Sequence, residues 1–189
     1  MRDFDWDRTK NWPEWSPLVA INRAAEFVRR EPLHFSMDAA YWRKAPFRYS
    51  GAKTVWVDTG DKRPDVHEVV KCAAVGPNKG SELVWGRSLE EGIGCGGHSG
   101  FAALNLADAL GAMTVYLLGF DMRGEAGTTA NFHSGYTHTK PASSVLYERY
   151  LESFRWAAER VRAEVVVLEA VPGSSAVDCW EKRPVGDVL

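Results

Sequence analysis

The chain has 189 residues, 45% of them hydrophobic and 25% charged, which suits a single globular domain with an adequate core and argues against disorder. Its formal net charge of -2 argues against a dominant electrostatic attraction to nucleic acid or to an anionic membrane surface. No stretch is apolar for long enough to span a bilayer, and Met1-Arg-Asp-Phe-Asp-Trp has no apolar signal-peptide core, so the expected compartment is the cytoplasm.

Residues 1–17 are aromatic and polar, with Trp6, Trp12 and Trp15 and no clean period, and read as a packed connecting segment. Residues 18–21 are a short apolar strand ending at Asn22, and residues 23–30 follow as a helix with Ala24, Ala25, Phe27 and Val28 available for burial. Asn22 therefore stands at a strand-to-helix junction, either as a helix cap or as a ligand contact. Residues 33–37 repeat the pattern with Asp38 at the end, and residues 53–58 give a third strand ending in Asp58-Thr-Gly. Three apolar runs that each end in Asn or Asp match a parallel sheet with a polar ligand edge, although side chains capping turns account for the same letters. Residues 67–75 and 82–85 read as short extended pieces of an edge hairpin, with His67 structural.

The most informative stretch is 92–123. Gly92, Gly94, Gly96, Gly97 and Gly100 form a glycine-rich loop that a ligand can approach closely. Ser99 reads as the N-cap of a helix whose apolar set is Phe101, Ala102, Leu104, Leu106, Ala109 and Leu110, with Asn105 and Asp108 on the other face and a stop at Gly111. The free N–H groups and positive dipole end of such a helix suit a phosphate or carboxylate. Residues 114–118 then read as a strand covered on both faces, with Gly119-Phe-Asp121 at its C-terminal end, where open α/β sheets place ligands. No Gly-Lys-Ser/Thr and no G-x-G-x-x-G spacing is present, so neither a Walker loop nor a dinucleotide fingerprint is indicated.

Residues 122–143 form a polar loop too long for a mere connection, of the kind that serves as a lid or binding loop. It carries Asn131-Phe-His-Ser-Gly-Tyr-Thr-His-Thr-Lys140, in which His133 and His138 suit proton transfer and Tyr136 or Lys140 suits phosphate contact. A solvated loop with idle histidines is the plainer account of the same residues. No metal site is expected, since His133 and His138 lack Cys or carboxylate partners at a familiar spacing. Cys72, Cys95 and Cys179 support neither a disulfide framework nor a Cys-x-x-Cys site. A long helix over 144–163, a last buried strand over 164–171, and a short terminal helix containing Trp180 complete the chain.

The order of these parts resembles the bacterial lipooligosaccharide sialyltransferases of glycosyltransferase family 42. It also resembles the archaeal and phage proteins of the domain-of-unknown-function-115 group, which includes a 6-hydroxymethylpterin diphosphokinase. The resemblance covers most of the chain as an order of motifs: Phe4-Asp-Trp-Asp, Ala20-Ile-Asn-Arg-Ala, Phe35-Ser-Met-Asp, His98-Ser-Gly, Tyr116-Leu-Leu-Gly-Phe-Asp and His133-Ser-Gly-Tyr. It implies one α/β, Rossmann-like domain over residues 1–189, with a mostly parallel sheet flanked by helices. The family's first strand and Gly-Pro-Ser loop would precede Phe4 and are not seen here, so an N-terminally truncated domain is expected. Nucleotide contacts are implied at Asn22, Ser99, Gly100 and Gly119, and a general base at His133 or His138. Asp38, Asp121 and Tyr136 complete the expected site.

The expected function is transfer from a nucleotide-activated donor, foremost a sialyltransferase-like glycosyl transfer that requires no cofactor. The alternatives are ATP-dependent pyrophosphoryl transfer, needing Mg²⁺ held by carboxylates such as Asp38, Asp58 or Asp121, and a non-catalytic nucleotide-binding protein of the phage type. The expected partner is a nucleotide or nucleotide-sugar.

Overall fold

The computed structural model describes residues 4–37, 53–56, 68–70, 83–94, 96–123 and 144–189. The chain divides into two compact units, Asp5–Ala112 with Leu189, and Met113–Val188 with Met1–Phe4. It is an α/β protein in which parallel sheets are flanked by helices.

In the first unit β1 (Val19–Ile21), β2 (Leu33–Ser36), β3 (Lys53–Trp56) and β4 (Glu68–Val70) form one sheet in sequential order, every pair parallel. The expected hairpin is thus corrected: β4 runs alongside β3 in parallel, and residues 83–86 join no strand. The first strand pairs Val19 with Leu33, Ala20 with His34 and Ile21 with Phe35. Because side chains alternate across a strand, Val19, Ile21, Leu33, Phe35 and Met37 share one face, and this face packs on α1 (Ser99–Ala109). Fully buried Phe35 lies there with Ile93, Ala102, Ala103 and Leu106. Burying one such aromatic side chain contributes roughly 1.5–3 kcal/mol. The helix expected over 23–30 is only a 3-10 helix, Asn22–Glu26, braced by a two-pronged Arg23–Glu26 ion pair with N···O distances of 2.7 and 2.6 Å. Another 3-10 helix, Trp6–Asn11, gives form to the aromatic N-terminal segment.

Helix α1 ends as its sequence foretells. Gly111 sits at φ +85, its N–H donates to Asp108 O, and the Ala112 N–H reaches back to Ala107 O. These are the paired bonds of a Schellman stop, in which glycine avoids the Cβ clash of a left-handed residue.

The second unit holds β5 (Thr114–Leu118), β6 (Glu164–Glu169) and β7 (Glu181–Pro184), again parallel and sequential, with α2 (Ser144–Ala158). Val165 to Leu168 are all buried on β6. By contrast β5, expected to be covered on both faces, buries only Leu117 fully and exposes Thr114. The terminal helix expected around Trp180 is also corrected: Trp180 leads directly into β7, and only Val185–Asp187 turns helically. Phe154 of α2 is the hub of this core, with edge-on rings of Phe120 and Trp180 at 5.7 and 5.5 Å. Among the described residues, no helix is long and apolar enough to cross a membrane.

Candidate functional site

The C-terminal end of β1 carries the least expected backbone in the first unit. Ile21 is still extended, and Asn22 then adopts φ +52 to enter the 3-10 helix. A left-handed non-glycine residue costs about 1 kcal/mol or more, and asparagine tolerates it best because its short side chain can bond locally. Here it does not do so. The Asn22 side chain makes no capping bond, which corrects the cap reading, and its buried Oδ1 has no hydrogen-bond partner among the described residues. A buried acceptor left without a donor costs roughly 1–3 kcal/mol, so a protein that keeps one has a reason to keep it.

His34 contacts the backbone of this turn. It is fully buried on β2, in register with Ala20, and its Nε2 lies 2.9 Å from the Asn22 carbonyl oxygen. A carbonyl only accepts, so Nε2 carries the proton. The far end of the same segment is pinned as well, since the Arg29 N–H donates to Thr9 Oγ1 at 2.8 Å and that hydroxyl donates to Trp6 O at 2.7 Å.

At the start of α1 the structure reassigns the cap. His98, extended at φ -154, is the N-cap, and its Nδ1 accepts the Phe101 N–H at 3.2 Å. Ser99 is therefore the first helical residue and Gly100 the second, both half-buried. Burial pushes the His98 ring down from 6.5 to about 3, which keeps Nδ1 a neutral acceptor. The Ala102 N–H already bonds His98 O, so the Ser99 and Gly100 N–H groups are the two left over at this helix start among the described residues.

The glycine loop turns out to serve packing as much as access. A Cβ on Gly94 would stand 1.5 Å from Val84 O, and one on Gly96 2.4 Å from Phe101 Cγ. Asn105, expected on a polar outer face, is fully buried: its Nδ2 donates to Gly86 O, and its Oδ1 accepts from Gly86 N and Gly94 N. Asp108, expected beside it, is likewise buried and accepts the Trp85 indole N–H at 2.9 Å. Helix α1 is thus enclosed on both sides, by the sheet and by residues 83–94. Gly97 remains exposed at φ +79, next to the cap.

In the second unit, β5 ends at Gly119 with φ +81, followed by Phe120, Asp121 and Met122 at φ +49. The Phe120 carbonyl accepts from Ser175 Oγ and the Asp121 carbonyl from Ala176 N, at 2.7 and 2.8 Å. The loop after β6 is closed on itself, because the Glu169 carboxylate accepts the N–H groups of Gly173 and Ser175 at 2.9 and 3.0 Å. Burial pushes Glu169 up, but those N–H groups together with Lys182 and Arg123 outweigh it and hold the carboxyl below its ordinary range. An internal carboxylate already fills this nest of N–H groups, so it is not a phosphate cradle. Tyr147 of α2 is pushed up by burial and then by the negative charge of Asp121, which places a phenol within electrostatic reach of the strand end.

Of the expected site residues, Asn22, Ser99 and Gly100 belong to the first unit, and Gly119 and Asp121 to the second. Asp38, His133, Tyr136 and His138 lie outside the described residues, as do Asp58, Lys140, Cys72 and Cys95. Cys179 is described, and burial pushes its thiol up to about 11, so it is not a reactive thiolate. Among the described residues, no group of three or more His, Cys, Asp or Glu is arranged to hold a metal ion. Sequence reasoning missed His34, Asn105 and the capping role of His98. A polar residue inside an apolar strand run, as in Leu33-His-Phe, was the available signal for the first.

No family model, no curated protein and no solved structure matches the chain.

Proposed function

We propose that the chain is a nucleotide-dependent transferase whose leading reaction is glycosyl transfer, as in the sialyltransferases its motif order resembles. The observation that carries this reading is the buried Oδ1 of left-handed Asn22 at the C-terminal end of β1, which has no partner among the described residues. Functional sites are where such strain is kept. An acceptor oxygen of this kind selects a donor, and a ribose hydroxyl or a base amino group supplies one; a phosphate does not.

The charged part of the donor has a separate receptor in this reading, the Ser99 and Gly100 N–H groups with the Ser99 hydroxyl at the positive end of α1. The motif resemblance adds Gly119 and Asp121 in the second unit, and Asp38 and Tyr136, as candidate contacts to be tested one by one. His133 or His138 takes the proton from the acceptor hydroxyl as its oxygen bonds the donor's anomeric carbon, and the nucleotide leaves with the electron pair of the broken glycosidic bond.

Calorimetry with CMP, UMP, ADP, ATP and nucleotide-sugars, to millimolar concentration, tests binding. Ser99→Ala should weaken the best of them roughly 10-fold, as expected for one hydrogen bond to a charged group. Donor consumption with an acceptor panel then tests transfer, with His133→Asn or His138→Asn expected to slow it about 10²- to 10⁴-fold at near-normal affinity. Absence of any binding rejects the proposal, and strict dependence of turnover on Mg²⁺ with ATP replaces it with pyrophosphoryl transfer.

A further inference from the structure

We infer that His34 is a positioning residue of the nucleotide site: its Nε2–H, held 2.9 Å from the Asn22 carbonyl oxygen, sets the left-handed turn that aims the Asn22 carboxamide. The inference rests on the proposed nucleotide-binding role of Asn22 and goes beyond it by assigning a side chain on a neighbouring strand.

His34 is an unusual residue for its place. It is fully buried between Leu33 and Phe35 on β2, and Phe35 is committed to the α1 core. Alternation along the strand sends His34 to the opposite face, the side on which Ala20, its register partner, is also buried. An apolar residue would fill that position without the cost of desolvating an imidazole. Its Nε2 reaches the Asn22 carbonyl, two residues beyond Ala20 and just past the end of β1.

The bond matters because of where the freedom lies. Ile21 is fixed by the β1–β2 ladder, and Arg29 is fixed by the Thr9 hydroxyl. Between them, the Asn22 peptide can rotate only by giving up the His34 contact. Rotation to an ordinary negative φ would swing the side chain away from its present direction. An imidazole on a rigid strand therefore fixes the direction of a buried carboxamide on a strained turn, as supporting groups do in prepared sites.

The test uses the full chain with the nucleotide that binds wild type best. His34→Leu should weaken that nucleotide roughly 3- to 10-fold, the value of one neutral hydrogen bond, and His34→Gln, whose amide can replace Nε2–H, should restore most of it. In an Asn22→Gly background, His34→Leu should produce no further loss of affinity, because the carboxamide it positions is gone. A purely structural histidine predicts the opposite: equal losses with and without the Asn22 side chain, and no rescue by Gln. Nuclear magnetic resonance supplies a readout that needs no ligand. The strong intraresidue amide–Hα Overhauser effect of a positive φ should be present at Asn22 in wild type and His34→Gln, and absent in His34→Leu. Its persistence in His34→Leu overturns the inference even where nucleotide binding is found, whereas absence of nucleotide binding with loss of the effect overturns only the function assigned to the site.

Discussion

Asn105 Oδ1 accepts the Gly94 N–H at 2.6 Å, so a fully buried carboxamide on α1 holds the glycine loop from inside the first unit. The same side chain donates to Gly86 O and accepts from the Gly86 N–H, at 2.8 and 3.0 Å. Asn105→Leu removes all of these and leaves the Gly86 and Gly94 groups buried and unmet. The expected loss is about 3–5 kcal/mol, seen as a lower urea midpoint at unchanged slope. A loss within about 0.5 kcal/mol, the range of a surface substitution, contradicts the clamp.

The loop's glycines should separate by cause. At Gly94 a methyl would meet Val84 O at 1.5 Å, a backbone atom that cannot step aside cheaply. Gly94→Ala should therefore cost about 3 kcal/mol or more. At Gly173, φ is +76 and nothing lies within 4 Å of the new Cβ, so Gly173→Ala carries only the left-handed strain of about 1 kcal/mol. Melting temperatures of the two variants give the order directly, and a reversed order would show that the residue 83–94 segment is more loosely packed than its distances state.

The strand positions were legible in the sequence because β1, β2, β3, β5 and β6 are apolar runs, and the α1 stop was legible because Gly111 is the residue a Schellman turn demands. Strand β7 was not, since Glu-Lys-Arg-Pro has no apolar pattern and is a strand only through backbone bonds to β6. Asn105 and Asp108 were misread because helical periodicity reports one covered face, and a second layer of chain on the other face leaves no periodic mark. The cap was misread because Ser99 has the better intrinsic preference, while His98 is extended, buried and correctly aimed. Asn22 was legible as a polar strand end; its positive φ and its contact with His34, made across two strands, were not.

Acid should act through His98. The unfolded chain takes up a proton on this ring as pH falls below 6.5, whereas the folded chain, with the ring buried, does so only near 3. The stability contributed by the neutral ring is complete above 6.5 and is lost progressively as pH falls from 6.5 towards 3, by about 1.4 kcal/mol per pH unit. Asparagine keeps a cap acceptor and has no titration, so His98→Asn should lose about 2 kcal/mol less than wild type between pH 7 and pH 5. Denaturant titrations at both pH values measure the difference. Equal losses in the two proteins would mean that the ring is hydrated or protonated in the fold.

The orphaned oxygen of Asn22 yields the most discriminating prediction, because stability and binding should move in opposite directions. Glycine adopts φ +52 without the Cβ penalty and removes the buried acceptor, though it adds chain entropy to the unfolded state. Without ligand, Asn22→Gly should equal wild type or exceed it by up to about 1 kcal/mol, the orphan's cost less the entropy term. With nucleotide the order reverses, since the variant lacks the acceptor for the ribose or base donor and gains less of the stabilisation that mass action supplies, about 2.7 kcal/mol at 100 times the Kd for a one-site ligand. Paired melting curves, with and without saturating nucleotide, read both quantities in one experiment. If the ligand-free variant falls by more than about 1 kcal/mol, the carboxamide is holding the fold and not awaiting a ligand. Equal nucleotide-induced shifts in the two proteins would place the nucleotide away from β1. A more stable variant with a smaller shift is the outcome expected of a residue kept at a cost for binding.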